Sequence, residues 1–334
     1  MQPTSPESSS IPLIESRALS KHFILSHGLF GKSHTLRAVD GVSLQIRPGE
    51  TLGLVGESGC GKSTFGRTLL RLMEPTSGDI LIHGNDVTRL SDRQLRPWRR
   101  RMQIVFQDPY SSLDPRMNVE RLVAEPLQIN KIGQNANERR DLVKTLLHQV
   151  GLHSDSLCRY PHEFSGGQRQ RIGIARALAV KPQFVVCDEP LSALDVSIQA
   201  QIVNLLLDLR DRLGISYLFI SHDLNVVRFM SQRVAVMYLG RIVELAHTAD
   251  LIAQPRHPYT HALLNTIPIP DPRKRRLPNL LTGDVPNPLA PPVGCAFHPR
   301  CPRALPGRCD EQAPSLCGDE SSHRLACWNP IDQP

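Results

Sequence analysis

No stretch of this chain approaches the ~18 consecutive apolar residues that a membrane-spanning helix requires, which excludes a helical pore built from this polypeptide alone. The opening residues, MQPTSPESSSIP, contain neither a basic segment nor an apolar core. They are expected to form no secretory signal, and residues 1–11 read as a short disordered tail. No internal repeat occurs, so a repeat array is excluded. No Cys-x2-Cys pair occurs either, which weakens any zinc-ribbon reading.

What is present is ordinary for a globular protein: 40% hydrophobic and 21% charged residues in 334, enough for one large domain plus a small one. The net charge of +7 fits an Arg-rich solvated surface, phosphate ligands, an anionic membrane surface or nucleic acid. Two basic runs, Arg96–Arg101 and Arg273–Arg276, read first as solvated faces, next as neighbours of lipid headgroups, and last as nucleic-acid contacts. The eight cysteines are uneven: Cys295, Cys301, Cys309, Cys317 and Cys327 crowd the last forty residues. In a reducing compartment such crowding favours metal binding over disulfides.

Short strands are expected at 35–46, 51–56, 79–84 and 102–106, with a helix carrying Phe65, Leu69, Leu70 and Leu72 on one face. From about 111 to 158 strands give way to helical spacing, with Gly151 as a C-terminal cap. The alternation then resumes through PQFVVCDEP, a long helix from Asp195, ISYLFISHD and VAVMYLGRIVEL, which implies a parallel α/β sheet. Beyond Pro255 the chain is rich in proline, which argues against regular helix or central strand, and it leads into the cysteines as an appendage.

Four strand ends carry candidate chemistry. GESGCGKST (Gly56, Glu57, Ser58, Gly59, Cys60, Gly61, Lys62, Ser63, Thr64) fits G-x4-G-K-[ST] between a strand and a helix. Its glycines let backbone N–H groups turn toward a phosphate at the helix's positive end, Lys62 adds charge, and the Ser63 hydroxyl can ligate Mg²⁺. Asp188 and Glu189 end a second apolar strand; Asp188 suits Mg²⁺, and Glu189, facing differently, suits a general base for water. His222 ends a third and can donate to a γ-phosphate, while Gln107 can complete the Mg²⁺ shell. A second helix mouth, Ser165-Gly166-Gly167-Gln168 before QRIGIARAL, offers another anion cradle far along the chain.

The phosphate loop, Gln107, SGGQRQR, CDEP, SALD and SHD, in this order and spacing, resemble an ATP-binding cassette (ABC) ATPase. The resemblance implies an α/β ABC-type P-loop ATPase with a RecA-like core at 12–110 and 160–254, a helical signalling subdomain at 111–159 and a C-terminal Pro/Cys-rich regulatory region at 255–334. It implies that Ser165, Gly166, Gly167 and Gln168 contact ATP held by a second subunit, that Asp195 lies at the dimer seam, and that Phe23 stacks on adenine (the alternative is a core residue). With no second phosphate loop, no fused membrane helices and no long insertion after Gln107, the importer branch fits best.

QDPYSSLDPRM, YPHEFSGGQ, PRHPYTHALL and VGCAFHPRCP resemble the peptide importers, nearest to the F-type ATPase of a dipeptide importer; nickel and glutathione importers share these motifs. Implied partners are a paralogous ATPase, two transmembrane permeases and, indirectly, an extracytoplasmic binding protein, with the chain peripheral at the cytoplasmic face of a bacterial inner membrane and no nucleic acid. A DNA-handling cassette is the reading from another class. Four thiols, Cys295, Cys301, Cys309 and Cys327, could hold a [4Fe–4S] cluster, which the resemblance favours, or zinc, or remain free.

Overall fold

The computed structural model describes residues 11–26, 33–192, 194–265, 283–318 and 323–331. Nearly all of the expected N-terminal tail and the basic run Arg273–Arg276 lie outside the described residues. No helix among the described residues is long and apolar enough to cross a membrane.

The chain opens with strands β1 (Ile14–Ser26), β2 (Ser33–Ile46) and β3 (Thr51–Val55), then helix α1 (Lys62–Leu69), β4 (Ser77–Ile82), β5 (Asn85–Asp86), α2 (Asp92–Arg101) and β6 (Met102–Val105). Helices α3 (Pro109–Ser112), α4 (Val119–Ile129), α5 (Ala136–Gln149) and α6 (Gly166–Leu178) follow. Then come β7 (Phe184–Asp188), α7 (Val196–Leu213), β8 (Ser216–Ile220), α8 (Leu224–Met230), β9 (Arg233–Tyr238), β10 (Arg241–His247), α9 (Thr248–Ala253), α10 (Pro258–Asn265) and β11 (Arg324–Leu325).

Two sheets form. The larger has the order β11-β10-β9-β3-β8-β7-β6. Its strands β6, β7, β8, β3 and β9 are parallel, as the alternation implies, while β10 and β11 add antiparallel at one edge. Every residue of β3, β7, β8 and β9 is buried, as it must be in a sheet covered on both faces. Alternate residues serve opposite cores. Val185, Cys187, Tyr217 and Phe219 face the helices α4 to α7, whereas Phe184, Val186, Leu218 and Ile220 face α1 and the second sheet.

That second sheet, β2-β1-β4-β5, is antiparallel and departs from the all-parallel expectation. β1 spans 13 residues, but register shifts between Ser16 and Leu19, Leu19 and Lys21, and Lys21 and His22 break its period-two pattern. In the helical segment α5 ends as anticipated: Gly151, at φ 72°, donates to His148 and Leu152 to Leu147. α2 buries only Leu95 and turns its arginines outward, with Arg99 on Asp92 at 2.7 Å and Arg101 over the Trp98 ring.

The C-terminal region corrects two expectations. Residues 258–265 of the proline-rich stretch are helical, because Pro258 opens α10 at the one place where a missing N–H costs nothing and no proline follows within the helix. Nor is the region a detached appendage. β11 pairs with β10, and Tyr259 and Phe297 belong to the main core. Phe297 is 1% exposed and sits 5.3 Å from the Tyr238 ring, 5.4 Å from Tyr259 and 5.7 Å from His257, whose burial holds it neutral with a pKa of about 4. Phe297→Ala is expected to cost about 3–5 kcal/mol. Denaturant unfolding followed by the whole protein's far-UV signal should show one earlier transition, not a separate local one.

Candidate nucleotide site

β3 delivers the phosphate loop to the C-terminal edge of the large sheet, and α1 begins at Lys62. Gly61, at φ 108°, forms the helix N-cap in a backbone region closed to most side chains; a Cβ there would lie 2.0 Å from the Ala38 carbonyl oxygen. Gly56 is as tightly constrained: a Cβ there would lie 2.2 Å from the Met237 carbonyl oxygen. Lys62 is 4% exposed, and its Nζ donates to the Gly56 carbonyl at 2.8 Å and the Glu57 carbonyl at 3.0 Å. Burial pushes the Cys60 thiol up, opposed by the neighbouring Lys62 ammonium.

The neighbouring parallel strands bring the other candidates to the same edge. Ser63 Oγ donates to Asp188 Oδ1 at 2.6 Å, and Arg67 lies 3.3 Å from Asp188 Oδ2; Asp188 is fully buried. Glu189 turns the opposite way, with Oε1 4.0 Å from Lys62 Nζ. Its Oε2 accepts from Gln107 Nε2 at 3.0 Å and lies 3.4 Å from His222 Nδ1. Glu189 occupies the left-handed region, φ 46°, a strain of about 1–3 kcal/mol for a non-glycine residue. The strain is held by its N–H on the Ile220 carbonyl and by the Ser192 N–H and hydroxyl on its own carbonyl. Such strain at a carboxylate beside a phosphate loop marks a position built for placement.

A cavity of about 410 Å³ runs along this edge, lined by loop residues Ser58 to Thr64, by Gln107 and Glu189, and on its far wall by Phe23. Phe23 thus faces the cavity rather than the core. Leu36 and Pro288, which sequence reasoning did not single out, share that lining. Glu57 departs from its expected place: its side chain leaves the cavity for Arg300.

Ser165 caps α6 through a reciprocal box, with its hydroxyl accepting from the Gln168 N–H and the Gln168 side-chain Oε1 accepting from the Ser165 N–H. Ser165, Gly166, Gly167 and Gln168 do not line the loop's cavity, and Ser165 and Gln168 face solvent. α6 instead packs on the start of α7: a Cβ at Gly167 would fall 2.4 Å from Ile198 Cγ2, and one at Gly166 3.3 Å from Leu194. Asp195 caps α7 on the exposed side of the same junction.

The oxygen donors of Ser63, Asp188 and Gln107 suit a hard divalent cation such as Mg²⁺. The cysteines give a different result. The Cys295 N–H donates to the Cys309 carbonyl at 2.7 Å, and burial, with Cys295, Cys301 and Cys309 adding, pushes the Cys327 thiol up to about 11. Burial likewise raises Cys295 and Cys301. Cys295, Cys301, Cys309 and Cys327 therefore share one neighbourhood. Yet among the described residues no group of three or more His, Cys, Asp or Glu is arranged to hold a metal ion. The expected [4Fe–4S] cluster is thus not supported by the described residues.

Residues 39–192 match the ABC transporter family, and residues 243–309 match the oligopeptide/dipeptide transporter C-terminal region. A putative oligopeptide transport ATP-binding protein of Bacillus subtilis is 51% identical over 319 residues, 95% of each chain. A putative peptide import ATP-binding protein of Brucella ovis is 54% identical over 316 residues, covering 95% of this chain and 97% of that one. Among solved structures, the ATP-binding cassette MJ0796, a dimer in a post-hydrolysis state with ADP and Pi, superposes with a TM-score of 0.63 at 29% identity, over 70% of this chain and 98% of that one. The chain belongs to the ABC transporter family, as one of its ATP-hydrolysing, ATP-binding proteins.

Proposed function

We propose that this chain powers the import of dipeptides or oligopeptides through separate permease subunits, from the cytoplasmic face of a bacterial inner membrane. The observation that carries the reading is the half-built site. A phosphate loop, a strained carboxylate and Gln107 line one cavity, and His222 stands against that carboxylate, while the second anion cradle faces outward. The matched C-terminal region and the peptide-import relatives support the cargo class.

In this reading ATP lies along the loop with its adenine on Phe23, and Lys62 and the loop N–H groups hold the β- and γ-phosphates. Ser63, Asp188 and Gln107 would hold Mg²⁺, which would supply charge neutralisation at the phosphates. Glu189 takes the proton of the attacking water, and His222 donates to the γ-phosphate. Ser165 to Gln168 and Asp195 complete the site of a second, paralogous ATPase, as the dimeric state of the solved cassette supports. Catalysis is by positioning and charge.

A groove of about 240 Å³ between the end of β6, α4 and α6, lined by Phe106, Glu125, Pro126, Gln170, Gly173 and Arg176, is the seat for a permease helix. It lies next to Gln107, so closure at the nucleotide would move the docked helix. Affinity capture of the tagged chain from detergent-solubilised membranes tests the reading. The expected companions are a paralogous ATPase and two hydrophobic permeases; recovery of the chain alone, with ATPase activity that DNA stimulates, would refute it.

A further inference from the structure

Among the phosphate-loop residues, Glu57 is held by the far end of the chain. Its carboxylate is gripped by the guanidinium of Arg300: Nη1 donates to Oε2 at 2.7 Å and Nη2 to Oε1 at 3.0 Å, across 243 residues of sequence. Arg300 is 7% exposed and also donates to Tyr238 Oη at 3.4 Å. The main chain of Glu57 is fixed from the same side, its N–H donating to Tyr259 Oη at 2.9 Å. Tyr259 is fully buried and packs edge-on against Tyr238 with ring centroids 4.7 Å apart. The remaining polar group of Glu57, its carbonyl, accepts from Lys62 Nζ. One residue therefore links the C-terminal region directly to the ammonium that faces the triphosphate.

We propose that Arg300 is a positioning residue of the ATPase. By clamping Glu57 it fixes the first turn of the phosphate loop, which sets both the Lys62 ammonium and the loop N–H groups for nucleotide. The C-terminal region is then a working wall of the nucleotide site, a role that Pro288 shares by lining the cavity. The fork geometry is what matters: a bidentate guanidinium holds a carboxylate in both position and plane, which a single ammonium does not. The proposal rests on the reading that this loop binds ATP.

The test is MgATP titration of the purified full chain by calorimetry, with steady-state ATPase kinetics of the assembled complex. Arg300→Ala is expected to raise the ATP Kd and KM about tenfold while changing kcat less than about threefold, with Arg300→Lys restoring only part. Glu57→Gln should give a similar shift. Combining it with Arg300→Ala should add little, because the two residues act as one unit. An Arg300→Ala protein that melts earlier but binds ATP with unchanged Kd would overturn the proposal, leaving a purely structural ion pair. If Arg300→Ala fails to fold, Arg300→Lys and Glu57→Gln decide in the same way, unchanged Kd in both being the refuting result. Lys62→Ala separates the two levels of failure. Wild-type protein that binds no MgATP sinks the ATP reading itself, whereas normal wild-type binding, lost in Lys62→Ala and kept in the Arg300 variants, sinks this inference alone.

Discussion

Glu189→Gln is expected to lower ATP turnover by about 10²–10⁴-fold, the range a general base contributes, while leaving nucleotide affinity intact. The side chain keeps its size, and its Oε1 can still accept from Gln107 Nε2, so the wall of the cavity survives. What disappears is the capacity to take a proton from water. ATP that binds but is not cleaved should hold two cassettes together, so the variant should elute with its partner as a stable ATP-loaded pair. Phosphate release measured beside size-exclusion chromatography checks both halves. Normal turnover would remove Glu189 as the base and pass the role to another group at the same edge.

Lys62→Ala should act on the opposite half of the cycle. The ammonium is buried and already satisfied by two carbonyls of the loop, so the loop is shaped around it before nucleotide arrives. Charged hydrogen bonds of this kind are worth about 1.5–3 kcal/mol each, so the ATP Kd should rise by roughly 10- to 150-fold. Turnover at ordinary ATP concentrations would fall for want of bound substrate. Calorimetry distinguishes the two variants: one binds and does not hydrolyse, the other barely binds. Removing Lys62 also takes away the cation 4.0 Å from Glu189, so its effect on kcat should not be nil even at saturating ATP.

The parts of this molecule legible in the sequence are those whose physics is local. The apolar runs ending at Val55, Asp188 and Ile220 declare buried parallel strands because both faces must be covered. The glycines at 56 and 61 are demanded by backbone that other residues cannot adopt or fit. β1 was obscured because its bulges cancel alternation, and its pairing partners β2 and β4 are set by distant register. The helix at 258–265 was hidden by counting prolines rather than asking where along a helix each would fall. Arg300 sits in the VGCAFHPRCP motif, but nothing in the sequence assigned it a role, and only the folded chain reveals that its guanidinium meets a glutamate of the phosphate loop. The cysteine spacing suggested a cluster that the described residues do not support.

The two-residue strand Arg324–Leu325 has a consequence out of proportion to its length. A parallel sheet extended by an antiparallel ribbon ends in an open ladder of amide groups, and an open ladder recruits whatever extended chain is nearby. Here part of that ladder is used within the same molecule: Leu325 faces Glu244 on one side and bridges to Cys317 on the other. Beneath it the buried Glu244 carboxylate is shared by His323 and by the N–H groups of Arg256 and His257, which ties the covering segment down. The edge strand β10 is thereby covered from within the chain over Glu244–Leu245.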